Sequence, residues 1–127
     1  MADTHDAGME VRRAVLGDDH VDRALAGTTP FTQDFQDLIT RYAWGSVWTR
    51  PGLARRERSI ATLTALLALH HWDEFAMHVR AARTNGLSAD EIGEVILQSA
   101  VYCGVSVANH GFAVAQRVLD GLADADD

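Results

Sequence analysis

Lysine is missing from the 127-residue chain; all 11 basic residues are arginine. Without lysine there can be no lysine Schiff base, which excludes pyridoxal-phosphate chemistry, and no P-loop lysine for nucleotide phosphates. Cysteine is reduced to Cys103, so an intrachain disulfide is impossible and a reducing, cytoplasmic setting is expected. Positive charge is in deficit, with a net charge of −7. A nucleic-acid partner is therefore not expected, and an anionic ligand would have to be met by locally placed arginines. Long apolar runs are lacking too. IATLTALLAL is short, VILQSAVYCGVSVANHGFAVA is broken by polar residues, and MADTHDAGMEVRR has no apolar export core. Neither a membrane span nor an export signal is expected.

Proline is scarce, with Pro30 and Pro51 alone, and apolar residues recur at three-to-four spacing. That pattern predicts an all-α fold, a compact bundle of about six to seven helices. A single domain over 1–127 is expected, with an ordered core over 8–120 and frayed ends at 1–7 and 123–127. Asp18 or Asp19 is expected to cap a short helix. Thr29 before Pro30 is expected to start the next, FTQDFQDLITRYAWG, with Phe31, Phe35, Leu38, Ile39 and Tyr42 on one side and an end near Gly45. Pro51-Gly52 reads as a turn, and RRERSIATLTALLALH as a central helix buried on most sides. Asn85-Gly86 reads as a helix stop, followed by a Ser88/Glu91 capping box. Two apolar helices then finish the chain, rich in small residues such as Gly111 and Ala115. Together they carry more apolar surface than one small core hides, which predicts a homo-oligomer.

The chemistry concentrates in HHWDEFAMHVR, residues 70–80. On a helix His71, Glu74 and His78 fall at i, i+3 and i+7, on one face, and His70, Glu74 and His78 form a second stripe. Three readings fit that spacing: an acid–base pair in which the carboxylate orients an imidazole, a two-histidine-one-carboxylate metal site, or an ordinary solvated face. A second cluster, RYAWGSVWTRPGL, sets Trp44 and Trp48 one turn apart with Arg41 and Arg50 nearby. It suits either a small carboxylate ligand or plain packing. ARRERS places Arg58 in a charged helix start. Cys103 has neither a second cysteine nor a neighbouring charge, which favours an inert thiol over a redox one.

Taken together, VLGDDHVDRA, AWGSVWTRPGL and HWDEFAMHVRAARTNG resemble the carboxymuconolactone decarboxylase family, part of the alkylhydroperoxidase-D-like superfamily. The resemblance runs over roughly residues 8–120. Where the peroxidase branch carries CxxCxxxH, this chain has His71, Glu74 and His78, so a dithiol mechanism cannot run there. The resemblance implies an all-α fold, a cyclic homo-oligomer (trimer or hexamer), and cofactor-free decarboxylation of 4-carboxymuconolactone to 3-oxoadipate enol-lactone in protocatechuate breakdown. It implies Glu74 and His78, with His71, as catalytic residues. Arg50 and Arg41, then Arg80 and Arg58, would hold the small dicarboxylate lactone, and Trp44 and Trp48 would keep water from it. No metal or other cofactor is implied. The chain departs from the family pattern at His70, where glycine is expected, at Cys103-Gly104-Val105-Ser106, where Ala-Gly-Val-Pro is expected, and at His110. The alternative outcomes are a related lactone- or peroxide-linked enzyme and a non-catalytic, stress-related oligomer of the same fold.

Overall fold

Glycine and proline punctuate the chain where the helices stop. The computed structural model describes residues 4–126, and within them seven α-helices form: α1 Thr4–Leu16, α2 Asp18–Ala26, α3 Gln33–Ile39, α4 Arg55–Ala68, α5 Trp72–Thr84, α6 Ala89–Cys103 and α7 Val105–Asp126. A π-helical segment, Thr40–Val47, continues α3. The all-α expectation holds. Met1, Ala2, Asp3 and Asp127, at the ends expected to fray, lie outside the described residues. The chain divides into two compact units, Met1–Ala54 and Arg55–Asp127.

In the first unit α1 crosses the π-segment at backbone distance. A Cβ on Gly8 would stand 2.1 Å from the Thr40 carbonyl oxygen, and one on Gly45 would stand 2.3 Å from that of Thr4. Only glycine fits at either position. Arg12 is buried beside this crossing and donates to Thr40 Oγ1 and Gln36 Oε1, each at 3.1 Å. Burial, and then the neighbouring Arg13, pull its guanidinium below the usual arginine value.

Four expectations for helix boundaries and faces change here. Phe31, Phe35, Leu38 and Tyr42 are 95%, 60%, 59% and 68% exposed, so the apolar side of this segment is turned outward; Thr40 and Trp44 are buried instead. The helix does not end at Gly45 but continues in i→i−5 hydrogen bonding, Trp48 N–H to the Ala43 carbonyl at 3.0 Å. Thr29 is not the N-cap of α3. Residues 29–32 make a turn, the Gln33 N–H reaches the Thr29 carbonyl at 2.9 Å, and Thr32 holds the cap position. Gly17, at φ 90°, holds the cap position of α2, while Asp18 and Asp19 lie in its first turn and favour the helix dipole.

The second unit has a continuous core: Leu63 and Leu67 of α4, Phe75, Val79 and Ala82 of α5, Ile92 and Ile96 of α6, and Ala108, Val114 and Ala115 of α7. Phe75 is fully buried at its middle, and its truncation to alanine is worth about 3–5 kcal/mol. α4 buries a single edge, Ser59, Leu63 and Leu67, rather than most of its circumference. Gly111 lets α7 approach α4, since a Cβ there would meet Leu67 Cδ1 at 2.7 Å.

The junctions are well specified by sequence. α5 ends in a Schellman closure: Leu87 N–H to the Ala82 carbonyl at 2.9 Å, Gly86 N–H to the Arg83 carbonyl at 3.1 Å, with Gly86 at φ 101°. The capping box forms as expected: the Glu91 N–H donates to Ser88 Oγ at 3.0 Å and the Ser88 N–H to Glu91 Oε1 at 2.9 Å. Arg56, from the charged start of α4, pairs with Glu91 and so ties two helix starts together. That pairing, then the Ser88 backbone hydrogen bond, lowers the Glu91 pKa to about 2. A depressed carboxylate contributes stability that is present above its unfolded value and lost as pH falls through its folded value. Glu91→Gln should therefore flatten the dependence of melting temperature on pH between about 4.5 and about 2, as read by thermal denaturation at a series of pH values; an unchanged slope would mean the pairing adds nothing.

Candidate active site

The candidate catalytic residues sit at the start of α5, and their placement begins with how α4 ends. The His71 N–H reaches the Leu66 carbonyl at 2.9 Å and the His70 N–H the Leu67 carbonyl at 3.1 Å. This is the same closure that ends α5, but here His70 occupies the left-handed position, at φ 60°. It explains the glycine expected at residue 70: for a side-chain-bearing residue that conformation costs about 1–2 kcal/mol. The chain turns in three residues, and the His71 carbonyl accepts the Phe75 N–H at 2.8 Å as the N-cap of α5.

Phase then follows from the core. With Phe75, Val79 and Ala82 buried, His78 is carried inward to 7% exposure, while Glu74 stays exposed on the same face; His71, expected on that face, is instead the exposed N-cap at φ −87°, ψ 75°, before the helix begins. The face thus runs from a solvated carboxylate to a shielded imidazole one turn further on. Asp73 and Glu74 in the first turn also favour the positive helix end. Among the described residues no three His, Cys, Asp or Glu side chains are grouped to hold a metal ion.

The arginine and tryptophan candidates are distributed over the chain. Arg58 is half-buried in the first turn of α4, with Nε shielded from solvent. Its neighbour Ser59 is fully buried and accepts from Asn85 Nδ2 at 2.9 Å, which joins α4 to the end of α5. Arg80 is exposed on α5, two residues beyond His78 and hence nearly opposite it around the helix; the structure does not bring Arg80 to the Glu74–His78 face. In the first unit Trp44 and Trp48 pair with ring centroids 5.1 Å apart and planes tilted by 35°. Trp44 is buried, Trp48 half-buried, and Arg41 and Arg50 are exposed. The π-segment sets this pairing, and nothing in the sequence spacing distinguished it from an α-helical one. Cys103 is half-buried and free. Among the described residues, no helix is long and apolar enough to cross a membrane.

Residues 33–117 match the sequence pattern of the carboxymuconolactone decarboxylase family. The chain belongs to that family. It is 47% identical over 118 residues to 4-carboxymuconolactone decarboxylase of Acinetobacter baylyi, covering 93% of this chain and 88% of that protein. It is 43% identical over 119 residues to nitrosuccinic acid decarboxylase npaB of Metarhizium robertsii, covering 94% and 83%. A 4-carboxymuconolactone decarboxylase sequence of Pseudomonas putida is 61% identical over 41 residues, 32% of this chain and 85% of that sequence. His70 stands where glycine was expected, and its backbone is left-handed at φ 60°. His70→Gly should stabilise the protein by up to about 1 kcal/mol, since relief of the left-handed strain is partly offset by glycine's greater chain entropy; a lower melting temperature would show that the histidine ring more than repays its conformation.

Proposed function

We propose that this protein is a carboxy-lyase that decarboxylates 4-carboxymuconolactone to 3-oxoadipate enol-lactone, with His78 as proton donor and Glu74 as its partner. The observation that carries the assignment of roles is the gradient on α5, from exposed Glu74 to buried His78, in a chain whose relatives are named as decarboxylases. In this lactone the departing carboxylate sits on the ring γ-carbon. As the bond to CO₂ breaks, its electron pair moves through the ring double bond to the carbonyl oxygen and makes an enolate. The ring is its own electron sink, so the protein has three tasks: to bind two carboxylates, to shield the one that leaves, and to protonate the ring carbon next to the carbonyl.

Shielding favours the loss of charge as carboxylate becomes CO₂. A buried imidazolium delivers its proton to carbon without competing water, and Glu74, one turn away and exposed, orients the ring and faces the solvent from which His78 recovers a proton. His71, at the helix start, is the second candidate donor. Arg41, Arg50 and Arg58 are the candidates for the substrate's carboxylates, with Trp44 and Trp48 as the water-excluding rings. Nitrosuccinic acid, named for one relative, is chemically parallel: a small dicarboxylate whose nitro group accepts the electrons that CO₂ leaves behind. It is the second substrate to try.

The lactone's ultraviolet absorbance should fall when protein is added. His78→Ala and Glu74→Gln should each lower kcat/KM by about 10²–10⁴-fold with the fold retained. Near-full turnover by both variants would sink the assignment, and turnover of nitrosuccinate alone would move the substrate. The arginine that grips a carboxylate is the one whose replacement by glutamine raises KM by about tenfold. We further propose a cytoplasmic, cyclic homo-oligomer. Leu97, Val101, Tyr102 and Val105 are 56%, 77%, 82% and 77% exposed across the α6–α7 junction, a patch of the kind that copies of a chain cover. Val101→Glu should reduce the mass measured by light scattering to that of a smaller assembly; an unchanged mass would place the contact elsewhere.

A further inference from the structure

On the far side of α5 from Glu74 and His78, the stripe Trp72, Ala76, Arg80 faces α7 across a groove of about 320 Å³. Helix geometry puts that stripe about half a turn from the Glu74–His78 face. The volume is within the range of small-molecule sites. From α7 come His110, Val114 and Arg117. The Trp72 indole and the His110 imidazole stack at 4.2 Å with planes 6° apart, and the His70 ring lies 5.9 Å from the indole at 15°. The indole also meets Phe75 edge-on at 5.7 Å, which anchors this stack to the core. Ala76 and Val114 make an apolar lining beside it.

The charged groups give the groove its sign. Arg80 and Arg117 both line it, and neither guanidinium makes a hydrogen bond or ion pair among the described residues. Asp73 is the one carboxylate on its wall. Two guanidiniums against one carboxylate leave the groove positive on a chain of net charge −7. Two guanidinium forks without a side-chain partner, beside the stacked rings and an aliphatic lining, match one ligand chemistry: a small apolar body carrying a carboxylate.

We infer that the α5–α7 groove is a second binding site, distinct from the Glu74–His78 face, for small organic carboxylates with an apolar body. Arg117 and Arg80 hold the carboxylate, and the apolar body lies against Ala76, Val114 and the Trp72–His110 stack. The site does not depend on which reaction the other face of α5 performs.

Calorimetric titration of the whole protein with sodium benzoate tests it, with benzamide as the uncharged probe of the same shape and adipate as a flexible dicarboxylate. Benzoate should bind saturably, and more tightly than either. Arg117→Gln and Arg80→Gln, both at exposed positions and checked for fold by circular dichroism, should each weaken it about tenfold. His78→Ala should leave it unchanged. Benzamide binding as tightly as benzoate, or benzoate affinity unaltered in both arginine variants, would overturn the site. Loss of benzoate binding in His78→Ala alone would assign the ligand to the other face of α5 and overturn it as well.

Discussion

The reversal at Leu69–His71 is the constraint on which the candidate site depends. α4 must end, and α5 begin, within three residues, because Leu63 and Leu67 on one side and Phe75 and Val79 on the other belong to the same core. Two hydrogen bonds close the turn, and they require a left-handed residue at position 70. Once the turn is made, the phase of α5 is fixed. Phe75, Val79 and Ala82 go inward, His78 goes with them, and Glu74 is left at the solvent edge. The same phase turns Trp72, Ala76 and Arg80 toward α7. A single turn thus assigns opposite faces of one helix to two different sets of charged and aromatic groups.

Neighbouring contacts hold this arrangement from its far end. Asn85, closing α5, donates to Ser59 in α4, and Arg56 in α4 pairs with Glu91 at the start of α6. The first links the end of one helix to the beginning of another and the second links two helix starts, where backbone groups lack internal partners and polar side chains have the most to satisfy. The first unit is organised differently. Its α1 crossing combines two glycines and a buried arginine with the buried Val11, Val15 and Trp44, while phenylalanines and a tyrosine are left exposed on α3 and the π-segment.

The relatives' names describe two reactions with a common electronic demand. A carboxylate departs from a carbon joined to a group that can take up a pair of electrons, an unsaturated lactone in one case and a nitro group in the other. On the proposed mechanism the protein supplies no electron sink. On that proposal it supplies a buried imidazole with a carboxylate one helical turn away. A chain without lysine, with arginine as its only strong cation, fits that division of labour, since guanidinium groups bind carboxylates and stay protonated.

Much of the fold was legible in the sequence because its signals are local. Asn85-Gly86, Ser88 with Glu91 and Pro51-Gly52 act within one turn of chain, and the spacing of Glu74 and His78 defines a helix face whatever surrounds it, whereas His71 falls on the non-helical N-cap. The aligned family motifs carried the fold class for the same reason. Other features depended on groups far apart in the chain. Phe31, Phe35, Leu38 and Tyr42 have the periodicity of a buried face, yet α1 packs on Thr40, Trp44 and Gly45 instead, because glycines at residues 8 and 45 allow a closer approach there. The i→i−5 bonding that pairs Trp44 with Trp48 differs from an α-helix by one residue per turn, below what spacing resolves. His110 lies nearly forty residues from Trp72, and only packing of α7 on α5 stacks their rings and brings Arg117 to the groove with Arg80. The sequence by itself determined which residues share a helix face. The tertiary structure decided which face is buried, because burial depends on the shape of the partner surface, and that shape is not written within any single helix.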